Sequence, residues 1–169
     1  MWLQLLSFMV PCYAANAAPV LLGGGPRMDM GIKLADGNPL FGKTKTVRGF
    51  AGGIVVGVLA SLLISQFWPN LIFNNPQTLL LSGIMLAVGA LIGDLAGSFL
   101  KRRLKIGEGK QFNVVDQMDF VVGGLVFAYP FAEPIYTFPN LAFIIVVSYA
   151  LHVLTNVLAN RAGLKKVPW

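Results

Sequence analysis

Apolar residues run along this chain in five long blocks separated by short polar stretches. The blocks cover about residues 2–24, 49–68, 77–100, 114–133 and 138–158. Crossing a hydrocarbon core of ~30 Å takes ~20 mainly apolar residues in a helix. Each block therefore predicts a membrane-spanning α-helix, and the expected fold class is an all-α integral membrane protein of five transmembrane helices. The uncharged run from Gly49 to Gly93 is too long for one helix. It breaks at WPNLIFNNPQ, where Trp68, Pro69, Asn74, Asn75 and Pro76 read as interface and turn residues. The fourth and fifth blocks part at AEPIYTFPN, which carries Glu133, Pro134 and Pro139.

Composition agrees with this pattern. The chain is 56% hydrophobic and 12% charged, whereas a soluble domain is usually ~25% charged. No long linker interrupts it, so residues 1–169 are expected to form one transmembrane domain with two cytoplasmic loops.

The charges then orient it. All 13 Lys and Arg fall in three clusters. The first is Arg27, Lys33, Lys43, Lys45 and Arg48; the second is Lys101, Arg102, Arg103, Lys105 and Lys110; the third is Arg161, Lys165 and Lys166. These lie in alternate connections, and the other connections hold no Lys or Arg. The positive-inside rule reads the N-terminus outside and the C-terminus in the cytoplasm. An Ala-x-Ala pattern near residue 15 resembles a signal-peptidase site, but no cationic segment precedes it, and cleavage would strand the first basic loop outside. The first block is therefore expected to stay as a span. The single cysteine, Cys12, offers no disulfide and no metal cluster, and reads as a small buried hydrophobe.

Two glycine ladders, Gly49, Gly53, Gly57 and Gly89, Gly93, Gly97, each mark one helix face. Such faces let backbones approach closely. Packing inside the bundle is the first use expected of them, and a homodimer seam is the alternative.

Candidate chemistry comes from the acids. Asp29, Asp36 and Glu108 lie in the cytoplasmic loops and Glu133 in an outer turn, but Asp94, Asp116 and Asp119 belong to apolar helices. An ionisable residue inside a span is a functional candidate. Asp94 precedes Lys101 by ~10 Å of helix, which puts it just below the cytoplasmic surface. Asp116 and Asp119 share a helix face at i, i+3. The third and fourth spans form a hairpin, so the three carboxylates can converge at that surface. Three acids together need cations: Lys101 and Arg102, or a hard metal such as Mg²⁺ held by oxygen ligands. A carboxylate cluster near loop cations suits metal and polyphosphate.

The segment Gly37–Thr44, GNPLFGKT, matches the P-loop pattern. That motif works between a strand and a helix of a parallel sheet, and this chain has no room for one. A looser expectation remains, that the loop lends backbone N–H groups and cations to phosphates. His152, Thr155 and Asn156 make one polar helix face, expected to bond between helices or to meet a lipid head group.

Taken together, G-D-L-A-G-S-F-L-K-R from Gly93 to Arg102 resembles the G-D-L-x-x-S-x-x-K-R signature of the CDP-diacylglycerol synthase family. D-Q-M-D, Asp116 to Asp119, is similar to the D-x-x-D that follows it there. F-G-K at 41–43 and K-T-V-R-G-F-A-G-G at 45–53 are similar to the family's upstream segments. The Gly-His-Gly-Gly stretch of bacterial members is replaced by EGKQFNVV, and the Lys-Asp pair after K-R by KIGEG. With its short length and few spans, the chain resembles the compact archaeal branch, the CDP-archaeol synthases.

The resemblance implies a Mg²⁺-dependent cytidylyltransferase, with two ions, located in the cell membrane. CTP and 2,3-bis-geranylgeranylglycerol 1-phosphate would give CDP-archaeol and pyrophosphate. The implied metal ligands are Asp94, Asp116 and Asp119, with Lys101 and Arg102 neutralising phosphates. Asn38, Phe41, Gly42, Lys43, Lys45, Thr46, Arg48 and Ser98 would hold CTP or phosphate. The implied partners are CTP, the isoprenoid lipid and the membrane, with no nucleic acid. A small ion or proton-coupled transporter using Asp94 and Asp116 is the alternative; it is disfavoured because the acids gather at one face. A CDP-alcohol phosphotransferase lacks its D-G-x2-A-R pattern here.

Overall fold

The computed structural model of the chain describes residues 1–108, 110, 112, 114–164 and 167. Five α-helices follow one another: α1 Trp2–Leu22, α2 Val47–Phe67, α3 Pro76–Arg103, α4 Val115–Ala132 and α5 Phe138–Arg161. A 3-10 turn, Glu133–Ile135, joins α4 to α5. All five helical segments are long and apolar enough to cross a bilayer. Among the described residues there is no strand, and the loop between α1 and α2 carries two isolated bridges, Arg27 with Thr46 and Lys33 with Pro39.

The helix starts follow from local chemistry. Thr46 caps α2 by accepting the Gly49 N–H at 3.1 Å. Asn75 caps α3 by accepting the Gln77 N–H at 2.9 Å, with Pro76 in the first turn. An N-cap oxygen satisfies a backbone donor that the helix leaves without a partner, and proline is tolerated there for the same reason. Lys101, Arg102 and Arg103 fill the last turn of α3, and Asp116 the first turn of α4. Both placements complement the helix dipoles.

α1 is central rather than peripheral. Leu5, Phe8, Met9, Cys12 and Ala15 are buried in the core. Cys12 donates weakly to the Phe120 carbonyl at 3.7 Å, the behaviour of a small buried hydrophobe.

Both glycine ladders are spent inside the bundle. Gly53 lies against the Ala15 carbonyl and Leu91, and Gly57 against Ala15, Ala87 and Pro11, so α2 sits close on α1 and α3. On the other side Gly89, Gly93 and Gly97 of α3 face α4. A Cβ at Gly93 would collide with the Asp119 carbonyl, and one at Gly97 with the Asp119 carboxylate. The α3–α4 hairpin thus has its backbones in direct contact, as small residues on apolar helices permit. Lys165 and Lys166 of the third basic cluster lie outside the described residues.

Candidate active site

The close α3–α4 seam sets the position of three carboxylates. Asp94 stands on α3, Asp116 and Asp119 on α4, and all three line one cavity of about 720 Å³. Each of two acids meets an ammonium group. Lys45 Nζ lies 2.6 Å from both oxygens of Asp94. Lys101 Nζ lies 2.7 Å from Asp116 Oδ2, which also accepts the Phe112 N–H at 2.8 Å. Asp119 Oδ1 accepts the Phe120 N–H at 2.7 Å. Among the described residues no three His, Cys, Asp or Glu side chains stand close enough to enclose a metal by themselves. The cavity therefore presents alternating carboxylates and ammonium groups, suited to a ligand that brings both anionic oxygens and cations.

Arg102 is buried and lines the same cavity. One guanidinium nitrogen, Nη1, donates to the Ile106 carbonyl at 2.8 Å, while its Nε has no partner among the described residues. A buried donor left unpaired costs free energy until an acceptor arrives. Ser98 also faces the cavity, one turn along α3 from Asp94.

Of the residues expected from sequence to hold nucleotide or phosphate, Phe41, Gly42, Lys45 and Ser98 line the cavity. Asn38, Lys43, Thr46 and Arg48 do not. Thr46 is occupied as the α2 cap. Asn38 lies in a tight turn, where its N–H donates to Asp36 at 3.0 Å. Lys43 and Arg48 are exposed.

The loop expected to lend its backbone to phosphates holds most of that backbone in bonds of its own. Its donors from Gly37 to Lys43 are consumed internally. Gly37 N–H donates to Leu34, Asn38 to Asp36 and Leu40 to Ile32. Phe41 and Gly42 both donate to Asp29 Oδ2, at 3.1 and 3.0 Å, and Lys43 donates to Glu108 Oε1 at 3.0 Å. The P-loop-like turn is filled by the protein's own carboxylates.

Three residues in this network carry no role in the sequence reading. Asp29 is 3% exposed. Burial opposes its charge, yet the N–H groups of Gly42, Gly31 and Phe41 and the Arg27 charge outweigh that and hold its carboxyl below the usual range. Glu108 reaches across from the α3–α4 loop. Arg103 donates to Asp36 at 2.7 Å and to the Pro39 carbonyl at 2.6 Å, and its guanidinium covers the Phe99 ring at 5.2 Å. An Asp two residues before Gly31 was the one local signal, since that spacing favours an Asx turn; the Gly31 N–H does donate to Asp29, at 3.0 Å.

The far wall of the cavity belongs to α1 and α5. Tyr13 and Ser148 hydroxyls bond at 2.8 Å. His152 Nδ1 lies 3.1 Å from the Gln117 carbonyl of α4, its ring edge-on to Phe120 at 4.9 Å. The interhelical bonding expected of His152 is present. Thr155 and Asn156 line the cavity beside Leu151 and Ala159, so this wall alternates polar and apolar groups.

Known proteins match this chain along nearly its whole length. The CarS-like family model, described as CDP-archaeol synthase, covers residues 1–169. The CDP-archaeol synthase of Methanoculleus marisnigri is 42% identical over 168 residues, covering 95% of this chain and 100% of the relative. Those of Thermococcus gammatolerans and Pyrococcus furiosus are each 40% identical, covering 97% and 99% of this chain and 94% and 98% of the relatives. A solved structure described as an intramembrane enzyme for archaeal membrane lipids biosynthesis superposes with a TM-score of 0.78 at 35% identity, covering 95% of this chain and 94% of that one. The fold is thus shared along nearly the full length of the chain, which belongs to the CarS-like, CDP-archaeol synthase family of multi-pass membrane enzymes.

Proposed function

We propose that the protein transfers the CMP group of CTP to the phosphate of 2,3-bis-geranylgeranylglycerol 1-phosphate, giving CDP-archaeol and pyrophosphate at the cytoplasmic face of the cell membrane. The carrying observation is the single cavity that joins Asp94, Asp116, Asp119, Lys45, Lys101 and Arg102 to a mixed polar and apolar wall on α1 and α5. One end suits a triphosphate, and the other suits the head of an isoprenoid lipid.

A lipid phosphate is anionic at neutral pH and needs no base to activate it. One of its oxygens attacks the α-phosphorus of CTP. A new P–O bond forms, the α–β bridging P–O bond breaks, and pyrophosphate leaves with the electron pair. The protein's task is to bring two anions together and to neutralise the leaving charge. Lys101 and Arg102 are placed for the phosphates, and the unpaired Arg102 Nε supports that role. Lys45 would move from Asp94 toward the triphosphate.

The donor set fits Mg²⁺. Asp94, Asp116 and Asp119 offer oxygen atoms alone, the class that hard cations take. Lys45 already seats a cation across both oxygens of Asp94. Together with phosphate oxygens of the nucleotide, these three carboxylates would hold two Mg²⁺ ions. Bound there, Mg²⁺ supplies charge neutralisation on the phosphoryl oxygens.

The test is direct. Purified, folded protein with CTP, Mg²⁺ and the prenylated glycerol phosphate is expected to release pyrophosphate in a lipid-dependent manner. Release that does not depend on the lipid, or no release at all, sinks the proposal.

A further inference from the structure

The Phe41–Gly42–Lys43 turn is held from two sides by carboxylates. Underneath, Asp29 accepts the N–H groups of Gly31, Phe41 and Gly42 at 3.0, 3.1 and 3.0 Å. From the α3–α4 loop, Glu108 Oε1 accepts the Lys43 N–H at 3.0 Å. Gly42 has φ +105°, and a Cβ there would stand 3.3 Å from Glu108 Oε1 and 3.6 Å from Arg102 Nε. The turn therefore passes close over Arg102 in a backbone conformation that favours glycine. Phe41 and Gly42 line the cavity before it, and Thr44 and Lys45 after it.

This geometry gives the P-loop-like pattern a different meaning. Its N–H groups do bind anions, but the anions are internal. They fix a strap of which Phe41, Gly42, Thr44 and Lys45 face the cavity. The strap ends at Lys45, and its path determines where the Lys45 ammonium stands.

We propose that Asp29 is a positioning residue for the nucleotide seat, with Glu108 as its weaker counterpart from the second loop. Neither is a catalytic residue: Asp29 is buried beneath the strap and acts through Phe41, Gly42 and Lys45. The inference rests on the proposed use of CTP, and predicts that loss of Asp29 weakens nucleotide binding while leaving the α3–α4 carboxylates in place.

The variant Asp29→Asn keeps the size and removes an acceptor shared by two N–H groups. The expected result is a KM for CTP raised about tenfold with kcat changed less than about twofold. Amide hydrogen exchange at Phe41 and Gly42 is expected to quicken at the same time, without any substrate present. Glu108→Gln is expected to raise the KM for CTP about threefold. If Asp29→Asn does not fold, Glu108→Gln carries the test, and an unchanged KM overturns the proposal. It is also overturned if folded Asp29→Asn keeps its amide protection, or if kcat falls while KM holds. Wild-type protein that shows protected strap amides but no use of CTP would instead refute the functional reading.

Discussion

The α3–α4 seam and the α1–α5 wall enclose the same cavity and are built in opposite ways. Half of the apolar window of α3 is buried, 50%, against 11% for α5. The seam is backbone on backbone, with Gly93 and Gly97 pressed on Asp119. The wall is held through side chains: the Tyr13–Ser148 hydroxyl pair and the His152 ring on the Gln117 carbonyl of α4, with the Trp2 and Phe143 rings 4.5 Å apart elsewhere along α1 and α5. The difference teaches where precision is needed. Phosphoryl transfer tolerates little misplacement; ~1 Å can cost ~10²-fold in rate. The carboxylates proposed for it stand where the backbone itself sets the spacing. On the proposed function, the sparsely packed α5 would be the face that meets the bulky lipid.

The most severe way to break this contrast is to force the seam apart. Gly97→Leu is expected to lower stability by more than about 3 kcal/mol, because the added side chain meets the Asp119 carboxylate in a close-packed interface. The ~1 kcal/mol gained by replacing glycine in a helix does not offset it. Thermal unfolding followed by size-exclusion recovery in detergent measures this. A stable Gly97→Leu protein would show that the seam is looser than its contacts indicate.

A second test keeps the seam and changes its charge. Lys45→Met is expected to cut kcat/KM for CTP by about 100-fold, since it removes the cation facing Asp94 and the phosphates. Steady-state pyrophosphate release reads it. Wild-type kcat/KM in this variant would remove Lys45 from the site.

The loop that crosses the seam has its own signature in pH. The folded-state pKa of Asp29 is lowered, so its stabilising effect is complete above the unfolded value of about 4. It is lost as pH falls through the lower, folded value. The KM for CTP is expected to show no Asp29-dependent change from pH 8 to pH 5. Protection of the Phe41 and Gly42 amides, relative to their intrinsic exchange rate at each pH, should fall below about pH 4. Protection lost near pH 6 would contradict the assignment.

The smallest effect belongs to the wall. Ser148→Ala removes one hydroxyl partner of Tyr13, worth about 1 kcal/mol. It is expected to change the KM for the lipid by no more than about fivefold and to leave the KM for CTP alone. A large fall in kcat would erase the division between seam and wall.

Much of this was readable in the chain. Helix number and rough limits follow from block length, because hydrocarbon thickness fixes span length. Asp94, Asp116 and Asp119 stand out because charge is costly in apolar surroundings. The glycine ladders announced close approach, though not to which helix. Asp29, Glu108 and Arg103 were hidden for a physical reason. Each bonds a backbone group 12, 65 or 64 residues away, and any residue type can supply a backbone N–H or carbonyl. Asn38, Lys43, Thr46 and Arg48 sit within recognisable motifs, but capping, turn geometry and exposure keep them out of the cavity. Motif membership marks a neighbourhood, while long-range hydrogen bonds decide which side chains enter it.

The central claim is that the chemistry resides on the carboxylates locked into the seam. The most direct measurement is turnover of Asp119→Asn with CTP and the prenylated glycerol phosphate, in protein matched to wild type for folded amount. Removing a carboxylate while preserving shape is expected to reduce kcat by about 10³-fold or more. A kcat within about tenfold of wild type would contradict the account.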